Sequence, residues 1–179
     1  MSRAVLSIGS NLGDRLEHLR SVVRGLGDRV VAVSSVYSTA PWGGVEQDDY
    51  LNAVVLVRDP EFGCHDWLWA GQRLEQAADR VREVRWGART LDVDVVWCED
   101  GGRAIVSADP ELTLPHPQAH NRAFVLIPWL EVEPGAELEV DGAVRAARDL
   151  LAGLPASERD GVHRTEFSLA GSAGVGAQS

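Results

Sequence analysis

Residues 30–58 read VVAVSSVYSTAPWGGVEQDDYLNAVVLVR. Both ends are rich in β-branched residues and read as strands, over 30–38 and 50–58. Between them TAPWGGVEQDD (39–49) holds a proline and two adjacent glycines and reads as a loop. Two parallel neighbours would need a long crossover, usually a helix, at this point. A loop leaves an antiparallel arrangement.

The surroundings agree. AVLSIGS (4–10) reads as a buried strand, and Asn11 to Gly13 turn the chain. Asp14 is a helix cap, and Leu16, Leu19, Val22, Val23 and Leu26 follow at helical spacing until Gly27. Residues 63–83 form a second helix, with Trp67, Gly71, Leu74, Ala78 and Val81 as its apolar stripe. LDVDVVW (91–97) is the fourth strand. Residues 111–122 form a proline-containing loop, 123–132 a partly helical apolar segment limited by Pro128, and 143–152 a last short helix. The order β-α-β-β-α-β predicts an α+β, ferredoxin-like antiparallel sheet with helices packed on one face and a C-terminal extension. One domain over 1–169 is expected, followed by a glycine-rich disordered tail over 170–179.

The chain has 179 residues and a formal net charge of −10. So acidic a protein repels phosphate backbones, which argues against nucleic-acid binding. All 17 basic residues are arginine. Cys64 and Cys98 show no metal-type spacing and are read as free thiols of a reducing compartment. Neither a signal peptide nor a membrane span is legible, so a cytoplasmic location is expected.

The fourth strand carries the chemistry. Side chains alternate along a strand, so Asp92 and Asp94 leave on one face while Val93 and Val95 enter the core. Paired carboxylates suit magnesium, which takes one or two of them together with substrate phosphates. An ordinary exposed strand face would look the same, but aspartate is a poor strand former. The preceding loop also brings Arg80, Arg82, Arg85 and Arg89, and forked guanidiniums suit phosphate oxygens. Part of that cluster also fits a helix C-terminus. Together, aspartates and arginines equip a site for phosphoryl transfer from a nucleotide. There is no GxxxxGK[ST] loop.

Trp86 in that loop is either a mobile lid or a core anchor. Tyr50 and Asn52 share one strand face, and a ring beside an amide can stack on and hydrogen-bond a flat heterocycle; a satisfied Asn at a strand edge is the alternative. His116 and His120 stand four apart, but in a proline-rich segment, which favours His116 as a phosphate donor over a zinc ligand.

The motifs IGSNLGD (8–14), SSVYSTAPWG (34–43), DYLNAVV (49–55), QRLE (72–75), RVREVRWGARTLDVDVV (80–96) and LTLPHPQAHNRAF (112–124) together resemble the 6-hydroxymethyl-7,8-dihydropterin pyrophosphokinase family of folate biosynthesis, over about residues 3–155. The resemblance implies transfer of the diphosphate of ATP to the hydroxymethyl group of that pterin, with release of AMP. It implies that Asp92 and Asp94 hold two magnesium ions and that Arg80 and Arg89 are catalytic. Gln72, Glu75, Arg82, Trp86, His116 and Arg122 would bind ATP, with Trp86 as a moving lid. Thr39, Trp42, Tyr50, Asn52 and Phe124 would bind the pterin, with Tyr50 and Phe124 sandwiching it.

Three positions depart from the pattern. Ala40 stands where many members of that family have proline, Trp42 replaces a smaller apolar residue, and Pro117 stands where some members have tyrosine. Residues past about 155 have no counterpart. The expected partners are the two small-molecule substrates, with no nucleic acid and no membrane, and the expected state is a monomer. The competing readings are a metal-dependent phosphohydrolase built on the same aspartates and a non-catalytic ferredoxin-like binding module. The hydrolase would release its product without a second substrate, and the module would bind no magnesium.

Overall fold

The computed structural model describes residues 1–40, 48–79 and 90–170. The chain opens with β1 (Ser2–Ser10), in which Ala4, Val5, Leu6 and Ile8 are all buried. Next comes α1 (Arg15–Leu26), capped as expected: Asp14 Oδ1 accepts the Glu17 N–H at 3.1 Å.

A single strand was expected over 30–38, but the structure has two, β2 (Val30–Val33) and β3 (Tyr37–Thr39). Both pair antiparallel with β4 (Tyr50–Asp59). The interruption has a local cause. Ser34 Oγ accepts the Val54 N–H at 2.9 Å, so a side chain replaces a carbonyl in the ladder.

Beyond β4 come α2 (Cys64–Asp79), β5 (Asp92–Asp100), the short β6 (Arg103–Ala104) and the hairpin of β7 (Ser107–Asp109) and β8 (Leu112–Leu114). The helix α3 (Ala123–Val132) continues through Pro128. The chain then forms β9 (Glu137–Val140), β10 (Ala143–Ala146), α4 (Ala147–Ala152), α5 (Ala156–Asp160) and β11 (Val162–Arg164). The helix expected over 143–152 therefore begins only at Ala147. Asp141 and Gly142, both at positive φ, make a two-residue turn that pairs β10 with β9 instead.

The main sheet runs β11-β3-β4-β1-β5-β6, with β2 also on β4, and its pairings are antiparallel. On one face Leu6, Ile8, Val55 and Val93 pack against Leu19 and Val22 of α1 and Trp67 of α2. On the other, Val5, Val54, Leu56 and Trp97 pack against Val125, Leu126 and Trp129 of α3. Helices on one face alone were expected. The second layer exists because β1 and β4 are apolar at successive positions and need cover on both sides.

Cys64 and Cys98 are joined as a disulfide between α2 and β5, with Cα atoms 6.0 Å apart, so the free-thiol reading is corrected. The first turn of α2 lies over the far half of β5, a neighbourhood that residues 34 apart in sequence did not announce. The cysteines thus no longer argue for a reducing compartment. Leu169 is buried in the α1/α2 core, and residues 171–179 of the expected tail lie outside the described residues. Among the described residues no helix is long and apolar enough to cross a membrane.

Candidate active site

Strand register assembles the first wall. Gly9 of β1 stands opposite Asp92 of β5 on one side and Asn52 of β4 on the other. Ser7 likewise faces Asp94. Val93 and Val95 are buried on the α1/α2 side, so both aspartates leave on the α3 side as the alternation predicted. Asp92 is half-buried and Asp94 exposed. Asn52 is buried, and its Nδ2 donates to Thr39 Oγ1 at 2.9 Å. Glycine at position 9 leaves room for a close approach: a Cβ there would come 3.0 Å from Asn52 Oδ1, and the amide would have to shift.

A bulge in β5 brings in the second wall. Leu6 pairs with Val95 and Val5 with Trp97, so Val96 is surplus to the β1 ladder. Its carbonyl accepts the His116 N–H at 2.8 Å, and this contact anchors the loop that follows the cis Leu114–Pro115 peptide. The imidazole Nδ1 accepts the Gln118 N–H at 3.1 Å, which leaves Nε2 as the protonated nitrogen of the neutral ring. Burial holds the His116 pKa below its usual value and Arg122 acts in the same direction, while Asp94 pulls it up. After a 3-10 turn (Ala119–Asn121), Arg122 leads into α3 with its guanidinium 5.6 Å from the Phe124 ring centroid.

Between the walls is a cleft of about 850 Å³. Of the residues named from sequence, Thr39, Tyr50, Asn52, Asp92, Asp94, Arg122 and Phe124 line it. His116 lines a shallow recess beside it, shared with Asp94 and Arg122. Gln72 and Glu75 are on α2, which packs on the opposite side of the sheet, and are not among its described lining residues. Trp42, Arg80, Arg82, Trp86 and Arg89 lie outside the described residues.

The cleft also uses residues that the sequence reading did not single out. Ser7, Gly9, Gln118 and Asn121 line it, as do Ser157, Glu158, Gly161 and Val162 of the C-terminal segment. A glycine inside a strand is itself a sign of close approach, so Gly9 was findable. Glu158 had no local signal, for it lies past the last helix read from the sequence and looks like one more solvated acid.

The lining is mixed: Asp92, Asp94 and Glu158 are acidic, and Arg122 stands against the Phe124 ring. The β5 aspartates give one part of the cleft an acidic floor, with Arg122 and His116 beside it. Tyr50, Asn52, Thr39 and Phe124 add two rings and an amide. Among the described residues no group of three acids or histidines converges on a metal position. Two carboxylates suffice for a magnesium ion that completes its shell with water and substrate phosphate, so the donor set fits.

Residues 5–134 match the model of the 7,8-dihydro-6-hydroxymethylpterin-pyrophosphokinase family. The 2-amino-4-hydroxy-6-hydroxymethyldihydropteridine pyrophosphokinase of Mycobacterium leprae is 53% identical over 175 residues, which cover 94% of this chain and 92% of that one. The enzyme of the same name from Mycobacterium tuberculosis H37Rv is 50% identical over 176 residues, 94% of each chain. Among solved structures, the Plasmodium falciparum HPPK-DHPS wild type superposes with a TM-score of 0.58 at 14% identity. It aligns over 85% of this chain and 43% of that one, a likeness of fold. The matched span runs from β1 through α3 and so contains both the aspartate strand and the loop anchored on Val96, and on this the chain belongs to the 7,8-dihydro-6-hydroxymethylpterin-pyrophosphokinase family.

Proposed function

We propose that this protein transfers the diphosphate of ATP to the hydroxymethyl group of 6-hydroxymethyl-7,8-dihydropterin, releasing AMP, as a step of folate biosynthesis. The observation that carries the reading is one cleft with two sides. The aspartates line it from β5, on one side of β1, and Tyr50, Asn52 and Thr39 line it from β4 and β3, on the other, with Phe124 entering from α3. A polyphosphate with its cation fits the first and a flat heterocycle the second.

The Tyr50 and Phe124 rings hold the pterin between them. Asn52 retains one amide proton and its carbonyl oxygen for the pterin edge, because Thr39 takes the other proton. That fixes the acceptor hydroxyl toward the aspartates. Asp92 and Asp94 hold magnesium, two ions being expected, and the metal supplies charge neutralisation on the ATP phosphates when bound. Arg122 and neutral His116, through its Nε2–H, donate to phosphate oxygens. Arg80, Arg82 and Arg89 take the same task from the 80–89 segment, with Arg80 and Arg89 on the transferred group. Trp86 serves as the lid on the ATP side, Trp42 contributes to the pterin pocket, and Gln72 and Glu75 serve the nucleotide. The acceptor oxygen bonds to the β-phosphorus as the bond from that phosphorus to the α–β bridging oxygen breaks. AMP departs with the bridging oxygen, and the hydroxyl proton passes to solvent. Positioning and charge carry the rate, and no covalent protein intermediate is needed.

The same reading takes the β1–α1–β2/β3–β4–α2–β5 core as ferredoxin-like and the enzyme as a cytoplasmic monomer. The test is AMP release from ATP and magnesium with and without the pterin. AMP formed only when pterin is present is expected. Hydrolysis at the same rate without pterin would point to a phosphohydrolase and overturn the proposal.

A further inference from the structure

The start of α3 lacks the groups that usually stabilise a helix N-terminus. Its N-cap residue is Arg122, no side chain of its own caps it, and its first turn has no acid. A cation there also opposes the helix dipole. The missing acceptor comes from 35 residues further on. Glu158 of α5 accepts the Ala123 N–H through Oε1 at 3.2 Å, and the same residue lines the cleft. Immediately after Ala123 stands Phe124, one of the two rings of the acceptor site.

The segment that carries Glu158 is fixed at its other end as well. β11 pairs with β3 in the register Val162 to Thr39, the residue that orients Asn52. One short piece of chain therefore holds Phe124 on one wall and Thr39 on the other.

We infer that Glu158 is a positioning residue for the acceptor substrate: by capping α3 at Ala123 it sets where the Phe124 ring stands. The inference rests on the pterin reading of the cleft given above. Residues 156–164 then belong to the acceptor site, although no residue type in them suggested it.

The test is steady-state AMP release by wild type, Glu158→Ala and Glu158→Gln, with the melting temperature of each measured. The cap acts on the pterin through the Phe124 ring, so Glu158→Ala is expected to raise the pterin KM by up to about tenfold, the scale of one such hydrogen bond. Its kcat and its KM for ATP are expected to stay unchanged. Glutamine keeps the Oε1 acceptor and is expected to restore the pterin KM. In a Phe124→Leu background, Glu158→Ala is expected to change the pterin KM little, since the ring it positions is gone. If Glu158→Ala is unfolded at the assay temperature, Glu158→Asp replaces it, its carboxylate being one methylene too short to reach Ala123. A pterin KM unchanged in a folded variant overturns the role of Glu158. So does an undiminished effect in the Phe124→Leu background, which would mean direct contact with the acceptor. Wild-type protein that makes no AMP on adding pterin overturns the function itself, and is distinguished from these by its own measurement.

Discussion

The phenol of Tyr37 donates to Glu131 Oε1 at 2.6 Å, and so ties the edge strand β3 to α3 across the second core. The other oxygen of the same carboxylate accepts the Ser35 N–H at 2.5 Å. Burial, then the Glu131 hydrogen bond and charge, push the Tyr37 pKa up to about 12, against a smaller opposing effect of Arg164. For Glu131 burial pushes the pKa up, but the Tyr37 and Ser35 hydrogen bonds and the charge of Arg164 outweigh it and leave it lowered.

Tyr37→Phe is expected to cost roughly 2 kcal/mol, the range for a hydrogen bond to a charged group. Urea denaturation at neutral pH measures it. The pH dependence has a definite sign. An unfolded chain releases the tyrosine proton near 10, whereas the folded one holds it to about 12. Between those values the unfolded state binds fewer protons, so stability falls as pH rises. The gap between wild type and Tyr37→Phe should narrow over that interval. A constant gap would show that the phenol is not the group responsible.

Asp92→Ala and Asp94→Ala are each expected to abolish AMP formation while the fold is kept, since neither carboxylate belongs to a hydrophobic core. The paired measurement is the rise in melting temperature on adding ATP with magnesium, which each variant should lose. Transfer retained by either would remove that residue from the metal site.

Gly9→Ala is expected to raise the pterin KM by about tenfold, the equivalent of about 1.4 kcal/mol. The new methyl would stand 3.0 Å from Asn52 Oδ1 and displace the amide from the pose that Thr39 fixes. Binding of ATP alone should be unaffected. An unaltered pterin KM would show that Asn52 has room to move.

Gly71→Ala probes the opposite face. Its Cβ would meet Val93 Cγ1 at 2.9 Å, in the seam between α2 and β5. A buried β-branched neighbour has little freedom to yield, so a loss of about 1–3 kcal/mol is expected on chemical denaturation.

Arg89→Ala is expected to lower kcat about 10²–10³-fold, the scale of removing one donor from a developing charge. Single-turnover AMP formation measures it, and an unchanged rate would place Arg89 outside the reaction.

What could be read from the sequence was local. Alternation put Asp92 and Asp94 on one face, and the apolar run over 4–10 marked β1 as a buried strand. The Asp141–Gly142 pair was a hairpin signal that the helical spacing after it obscured. Strict alternation from Asp92 would set Trp97 beside Val93 and Val95, yet it packs against α3, because the bulge at Val96 breaks the period of two. The Cys64–Cys98 bond, the seat of β11 on β3 and the cap of Glu158 on Ala123 join residues that are neighbours only after folding. No period or spacing encodes such contacts. Ser34 is intermediate: a serine amid β-branched residues was visible, but not that its hydroxyl would take the place of a carbonyl.

Val96 gives β5 an odd kind of redundancy. Remove it on paper and the strand pairs with β1 without interruption. Asp92 and Asp94 keep their face, Trp97 still meets Val5, and Cys98 still meets Ala4. What disappears is a valine side chain buried against α3 and one backbone carbonyl, and with the carbonyl the hook that draws His116 to the aspartates. Amino-acid replacement at 96 cannot remove that hook, because every residue carries the same carbonyl. On the β5 side, the coupling between sheet and histidine loop is therefore written in chain length rather than in residue type.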